Sequence, residues 1–555
     1  MRRGLIVLAA LAAGCGGPPP TPVADPQGLR FTDSTAAWGL DFVHDAGLST
    51  EKQLPETMGA GAALFDADGD GDLDLYLVQS GPLPLSADRS GAPPNELWLN
   101  DGSGRLEDAT TRSGDAAHRG YGMGVATGDV NGDGHTDLYL TNLGPDALLL
   151  GDGTGGFRDA TATSGLGDPR WTVGATLFDA DADGDLDLFV TGYLDLDLSA
   201  PAFCGRREPG WRSYCHPDHY PGLQDRFYLG NGDGTFVEAT VAAGLGDSEG
   251  KGLGAVAFDA DDDGDLDLYV ANDSVENRLW ENLGDGRFRD GTLLSGTGVN
   301  ELGMTEAGMG LVAQDLDGDG RTDLLVTNFD DESNTLYRND GDLLFRDVTV
   351  SAGLEAPTRL PVGFGVVAAD LDDDGDLDLA VANGHIIDNI HLYHDGKSWA
   401  QRTALFENLG QGRFRDATGD AGDLGLEPAV GRGLVAGDLD GDGDLDLVLT
   451  SCAGPARLLR NEGSAPRATR LVGLPPGTRV RARLPDGRLV DRRAGPAVSY
   501  ACSGPPGVHL DPTSLAAGRL ELRRPGQPWL QVDLPTSAGP ELDASELIGP
   551  VQVRR

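Results

Sequence analysis

The sequence predicts an all-β protein: a seven-bladed β-propeller with cation-binding loops, closed by its own N-terminal strand and followed by a small C-terminal β domain. A nine-residue acidic loop recurs seven times. Short apolar runs flank every copy, and a final strand of the type "FRDAT" recurs one unit out of step with the loops.

The loops read DADGDGDLD, DVNGDGHTD, DADADGDLD, DADDDGDLD, DLDGDGRTD, DLDDDGDLD and DLDGDGDLD, starting at Asp66, Asp129, Asp179, Asp259, Asp315, Asp370 and Asp438. Positions 1, 3, 5 and 9 are Asp with one exception, Asn131, and position 6 is always Gly. A merely solvated acidic stretch needs no such grammar. Hard oxygen ligands at these positions, with glycine permitting the turn between them, are what calcium coordination requires, and softer metals would ask for sulfur or imidazole there. The candidate side-chain ligands are Asp66, Asp68, Asp70 and Asp74; Asp129, Asn131, Asp133 and Asp137; Asp179, Asp181, Asp183 and Asp187; and Asp259, Asp261, Asp263 and Asp267. The later loops offer Asp315, Asp317, Asp319 and Asp323; Asp370, Asp372, Asp374 and Asp378; and Asp438, Asp440, Asp442 and Asp446. Position 7 varies as Asp72, His135, Asp185, Asp265, Arg321, Asp376 and Asp444. Because Arg321 cannot ligate a cation through its side chain, this position is expected to offer its backbone carbonyl. One calcium per loop, seven in all, is the expectation. An EF-hand is excluded, since position 12 is Leu or Val in every copy where that motif needs Glu.

Each loop is preceded by a strand that starts at a Gly five residues upstream, as in "GAALFD" and "GVVAAD", and followed by a "DLxLxV" strand. A third strand with a Gly-rich turn ("NRLWENLGDG") and a fourth ("FRDGT") complete a unit of four. Four strands per unit at spacings of 50 to 80 residues point to a propeller. The seventh loop lacks a fourth strand, whereas "FTDST" (31–35) precedes the first loop without a loop of its own. The N-terminal strand should therefore complete the last blade and remove an open edge. The expected domains are a leader at 1–14, a Pro/Gly-rich linker at 15–30, the propeller at 31–462, the C-terminal β domain at 463–540 and a tail at 541–555.

The net charge of −47 argues against nucleic acid and anionic lipid surfaces as partners, even after seven divalent ions lower it to −33. Extracellular calcium modules bind at roughly 10⁻⁴ to 10⁻³ M, which favours an exported address. The N-terminus agrees: "MRR", a short apolar stretch and "LAAGC" form an export signal that resembles a bacterial lipoprotein leader. Cys15 is then the lipidated residue, and the protein is a membrane-anchored lipoprotein, periplasmic or at the cell surface; simple secretion is the alternative. The apolar stretch is too short to span a bilayer, so membrane contact is expected only through the lipid. Of the other four cysteines, Cys204 and Cys215 lie close together, and the simplest pairing joins them and leaves a Cys452–Cys502 bridge; buried thiols are the alternative for the second pair.

"MGAGAALFDADGDGDLDLYLV" and "VGFGVVAADLDDDGDLDLAVANGH" resemble the FG-GAP/VCBS repeats of integrin α-subunit propellers. With "LPETMG", "CHPDHYPGLQDRFYLGNGDGTF" and "ANGHII", nearly the whole mature chain resembles the cartilage acidic protein 1-like family. Residues 463–540 resemble that family's ASPIC/UnbV domain through "GTRVRARLPDGRLVDRR" and "GRLELRRPGQ", but Arg524-Pro525 stands where the family has Trp-Pro. Residues 463–555 hold 13 Arg and 8 acidic residues, so this domain is expected to dock on the acidic propeller.

Insertions in the third and sixth units carry His216, His219, His385, His391 and His394, a transition-metal site if the fold brings them together. No nucleophile elbow, zincin or phosphate-loop motif is present, and no catalytic residue is assigned. The favoured function is a non-enzymatic binding or adhesion module for a surface protein or glycan. The alternatives are an enzyme with a central-channel site and a redox or metal carrier using the histidine insertions.

Overall fold

The computed structural model describes residues 29–544 and 547, apart from 87, 247–249, 464–468, 485–486, 496–497, 511 and 535–540. The leader 1–14 and Cys15 lie outside the described residues. Every acidic loop is the turn of an antiparallel hairpin. The residue before position 1 pairs with the position-9 aspartate, as in Phe65↔Asp74, Phe258↔Asp267 and Gly437↔Asp446. The strands entering the loops are Ala62–Phe65, Gly122–Gly128, Thr172–Phe178, Gly252–Phe258, Leu311–Gln314, Gly363–Ala369 and Gly431–Gly437. Each is the inner strand of a four-stranded blade, the first blade being part of a six-stranded sheet, and each touches its counterpart in the next blade until Gly431–Gly437 returns to Ala62–Phe65. The described residues thus form seven blades around one axis.

The last blade is completed by Phe31–Asp33, which pairs antiparallel with Arg457–Asn461 in the register Phe31↔Asn461. Arg457 Nε donates to the Asp33 carboxylate at 2.9 Å and fastens this seam. The upstream glycines are explained by crowding at the axis. A Cβ on Gly174 would meet the Leu253 carbonyl oxygen at 2.8 Å, and one on Gly310 the Phe364 carbonyl at 2.0 Å, so only glycine lets adjacent inner strands come this close. Apolar clusters fill the seams between blades; Phe227, Phe288 and Trp280, for instance, pack against Ala255 and Leu268.

The C-terminal domain has a four-stranded sheet (Leu489–Arg493, Arg479–Arg483, Arg519–Arg523, Leu530–Asp533) and a three-stranded one (Val508–Leu510, Thr469–Val472, Glu541–Asp543) around its own apolar core. Glu541–Asp543 pairs with Thr469–Val472, so the domain runs past the expected boundary at 540. A short run of three polar-flanked residues carried too little periodicity to be seen in the sequence.

This domain also enters the propeller. The hairpin Val498–Ser499 and Cys502–Ser503 adds to the first blade through a parallel pair, Ala63↔Ser503, and places Tyr500 and Ala501 on the axis. Val366 N–H donates to Ser499 Oγ at 2.8 Å, Val125 N–H to the Ala501 carbonyl at 3.2 Å, and Thr127 and Ser503 hydroxyls meet at 2.8 Å. Tyr500 is fully buried, edge-on to Phe364 at 4.9 Å, among Met58, Met123, Leu253 and Met309. Beside it the buried Arg432 guanidinium lies 3.9 Å from the centre of the Phe364 ring and donates to the carbonyls of Thr57 and Gly384 at 2.7 and 2.9 Å. The central channel is therefore plugged by the chain itself.

Cys204 and Cys215 form a disulfide. The expected Cys452–Cys502 bridge is not formed: both are free, buried thiols. They belong to different packing environments. Cys452 packs with Ala46 and Val430 and donates to the Glu56 carbonyl at 3.2 Å, whereas Cys502 sits on the plug and accepts the Ala62 N–H at 3.3 Å.

Candidate metal centre

The seven loops share one hydrogen-bond scheme. The position-7 N–H donates to the position-5 carboxylate in every copy, from Asp72 to Asp70 at 3.0 Å through Asp444 to Asp442 at 3.0 Å. The position-6 glycine N–H donates to the position-1 carboxylate, as Gly71 to Asp66 at 3.0 Å and Gly320 to Asp315 at 2.9 Å. The loops draw together carboxylates of positions 1, 3 and 5 in some copies and of positions 1, 3 and 9 in others. Ligand-capable atoms lie within 4.8 Å of one another in Asp66/Asp68/Asp70, Asp179/Asp181/Asp187, Asp259/Asp261/Asp263, Asp315/Asp317/Asp323 and Asp370/Asp372/Asp374. Position 6 is left-handed throughout, and so is position 4, including the non-glycines Ala182, Asp262 and Asp373 at φ of 59°, 67° and 60°. That second requirement was not visible from composition, because only four of the seven copies meet it with glycine.

Position 9 has a second task. Asp74 accepts the Ala67 N–H at 2.7 Å with one oxygen and the Asn100 N–H at 2.8 Å with the other, locking the loop to the third strand of its blade. Asp267 does the same with Ala260 and Asn282, both at 2.8 Å. Burial pushes these carboxyls up against the pull of the backbone donors, Asp74 to about 7 and Asp267 to about 8. At position 1, burial, with nearby acidic charges adding to it, holds Asp438 at about 6.

The donor set fits a hard divalent cation. It is all oxygen, it is anionic, and buried carboxylate oxygens of Asp68, Asp179 and Asp259 have no hydrogen-bond partner. Several of the acidic groups can hold a metal ion. Of the two non-acidic position-7 residues, Arg321 donates through Nε to the Asn339 carbonyl at 2.8 Å and pairs with the position-5 carboxylate of Asp319 in its own loop.

The loops are also a docking surface. Outward-facing position-6 carbonyls receive the C-terminal domain: Arg470 donates to Gly71 O at 3.0 Å, Arg481 to Gly320 O and Arg492 to Gly375 O, both at 2.8 Å, and Gly526 N–H to Gly264 O at 2.8 Å. Asp262, the left-handed residue of the fourth loop, pairs with Arg479 at 2.6 Å and Arg523 at 2.7 Å. Arg523 also lies 3.3 Å from the position-1 ligand candidate Asp259. The basic domain thus sits on the acidic loops, as the charge contrast suggests.

The opposite face bears the insertions. They meet there: Asn389 donates to the carbonyls of Gly210 and Arg212, both at 2.9 Å, and Lys52 from the segment before the first blade pairs with Asp388. Among the described residues, the named groups able to hold a metal contain aspartate and no histidine. His385 is buried with both nitrogens engaged, Nδ1 accepting the Ile387 N–H at 2.9 Å and Nε2 bonded to Asp330 at 3.1 Å. His216, His219, His391 and His394 are exposed. At the mouth of the plugged channel a cavity of about 50 Å³ remains, lined by Met58, Tyr193, Asp273, Met309 and Phe364.

The FG-GAP-like repeat family matches residues 66–140, 129–190, 259–326 and 315–381. Cartilage acidic protein 1 of Homo sapiens is 25% identical over 351 residues, covering 58% of this chain and 47% of that protein. The Xenopus tropicalis protein of the same name is 25% identical over 415 residues, covering 71% of this chain and 58% of that one. The chain spans about half the length of the curated relatives it matches. Among solved structures, BBS1N in complex with ARL6DN aligns with 79% of this chain and 99% of its own at 12% identity, with a TM-score of 0.39. No helix among the described residues is long and apolar enough to cross a membrane. The chain thus carries FG-GAP-like repeats within a β-propeller and is similar to cartilage acidic protein 1.

Proposed function

We propose that this chain is an exported, calcium-binding, non-enzymatic binding module, anchored through Cys15, that holds a surface protein or glycan on its insertion face. The observation that carries the reading is the division of labour between the two faces. The first, fourth, fifth and sixth acidic loops bear contacts from the C-terminal domain, and the loops are built from convergent carboxylates, which suits a structural ion and not a partner site. The insertion face is left free, and two insertions brace each other across it. Calcium, when bound, neutralises the loop carboxylates and stiffens the surface on which the C-terminal domain sits. A channel filled by Tyr500 and a buried His385 with both nitrogens satisfied speak against the enzyme and metal-carrier alternatives.

Affinity capture from the producing cell's envelope with residues 16–555, in millimolar calcium and in chelator, tests this. A partner retained only in calcium supports it. Calorimetric titration showing no calcium uptake, or capture abolished by removing residues of the loop face and untouched by changes on the insertion face, overturns it.

A further inference from the structure

The cavity of about 50 Å³ at the mouth of the axis opens on the insertion face, where the exposed His216 and Ile386 of the other insertion line it. Its walls combine two chemistries. Met58, Leu253 and Met309 are apolar and buried, whereas Asp273 and Glu332 bring carboxylates. The backbone holds those two together: Asp273 bridges to Ala307, and the Ala307 N–H donates to Glu332 Oε2 at 2.9 Å.

Among the described residues neither carboxylate forms an ion pair. The buried Lys251 donates instead to Asp218 at 3.1 Å and to the Pro217 carbonyl at 3.3 Å, and His216 Nδ1 accepts the Asp218 N–H at 3.3 Å. Their charges reach Asp273 only from a distance. Each Asp273 oxygen accepts one hydrogen bond, from the Ser274 hydroxyl at 2.9 Å and the Tyr193 hydroxyl at 2.5 Å, and has a lone pair left. Both bonds that Glu332 accepts, from Ala307 and from the Phe329 N–H at 3.2 Å, fall on Oε2, which leaves Oε1 for a donor. Burial, with the charges of Glu306 and Asp273 adding to it, pushes the Glu332 carboxyl up, and burial does the same to Asp273. A cationic guest relieves that cost.

Size and charge select the guest. A water-sized group needs roughly 10–15 Å³ of such space, so the cavity takes about three to five non-hydrogen atoms. That is too few for a sugar ring, and enough for an ammonium with the methylenes next to it. A hard metal ion would ask for oxygen on most sides, where Met58, Leu253 and Met309 offer thioether and hydrocarbon. A chain at −47 draws cations toward it. We propose that this cavity binds a primary alkylammonium group, whose nitrogen donates to Asp273 and to Glu332 Oε1 while its methylenes lie against Met58, Leu253 and Met309. This deepens the proposed function and rests on the insertion face being the binding face. A free amine and a lysine on a partner's surface carry the same group.

The test uses residues 16–555 in millimolar calcium with isotope-labelled methionine methyls, followed by NMR. The ligands are n-butylammonium, n-butanol and a glycine-flanked lysine peptide blocked at both ends. The Met58 and Met309 signals should shift with n-butylammonium at a concentration at least tenfold below that needed of n-butanol, while Met304, exposed and outside the cavity, stays in place. E332Q, whose carbonyl can still accept both N–H groups, should lose about tenfold in n-butylammonium affinity with an unchanged melting curve. D395N, an exposed insertion-face carboxylate outside the cavity, should behave as wild type. Tighter binding of the peptide than of n-butylammonium assigns the group to a partner's lysine, and the opposite order assigns it to a free amine. An equal response to n-butanol, no shift at Met58 and Met309, or full affinity in E332Q overturns the site. Silent methyls beside calcium-dependent partner capture sink the cavity and leave the proposed function standing; n-butylammonium binding without calcium uptake does the reverse.

Discussion

Replacing Tyr500 by Ala removes the side chain that fills the propeller axis, and the structure sets the size of the effect. Tyr500 is fully buried and edge-on to Phe364 at 4.9 Å, so truncation leaves a cavity between inner strands that cannot close without moving several blades. Large aromatic truncations of this kind cost about 3–5 kcal/mol. The hydroxyl contributes little to that sum, since it donates to the weak acceptor Met58 Sδ at 3.7 Å, and Tyr500→Phe should cost under about 1 kcal/mol. The loss should be local before it is global. The Val125 and Val366 amides donate to the plug, at Ala501 O and Ser499 Oγ, and report its opening. Hydrogen exchange at both should accelerate by about a hundredfold in Tyr500→Ala, the factor that about 3 kcal/mol implies, while amides on the outer strands keep their protection. Unchanged exchange at Val125 and Val366, with a stability change under about 1 kcal/mol by denaturant titration, would refute the plug as a load on the axis.

Chelation should lower the melting temperature, and more so at pH 8 than at pH 5: the folded-state pKa of Asp74 and Asp267 is raised to about 7 and 8, so the metal-free fold is most stable below the unfolded carboxyl range near 4 and loses that contribution as pH climbs through those values. Scanning calorimetry with and without calcium at both pH values checks this; a shift of equal size at each would contradict it. His44 behaves oppositely. Burial, with the Arg432 charge adding to it, lowers its pKa to about 3, so its contribution is complete above about 6.5 and falls as the pH drops, by about 2 kcal/mol at pH 5, and His44→Gln should flatten that part of the stability profile. Cys452 and Cys502 should both resist alkylation in the folded protein and both react after unfolding without reductant; mass spectrometry finding them linked would restore the second bridge.

The parts legible in the sequence are those that repeat. Seven loops with the same acidic positions carried the hairpins and the acidic groups able to hold a metal ion, and the unmatched "FTDST" exposed the seam. What occurs once left no pattern. "AVSYACSG" offers neither a 2.0 nor a 3.6 period, so nothing marked Tyr500 and Ala501 as an axial plug, and Cys502 could only be paired by elimination with Cys452. The double duty of Asp74 and Asp267 was hidden for a different reason: a ligand and a backbone clamp both demand aspartate, and spacing does not separate them. The arginines at 470, 481 and 492 were read as net charge, although what they grip is carbonyl oxygen.

The seam between Phe31–Asp33 and Arg457–Asn461 sets a timetable for biogenesis. The strand that emerges first must wait for partners more than 400 positions later, as the Leu458 to Thr35 bond spans 423 residues. At roughly 5–20 residues per second, synthesis alone imposes a delay of about 20 to 80 s. During it the earlier blades can stack in order, yet the circle has an open end and an unmatched edge that invites pairing with another copy. Only afterwards does the segment around Tyr500 arrive to occupy the axis, so ring closure and axial filling are the last events of folding, and truncation anywhere upstream leaves both undone.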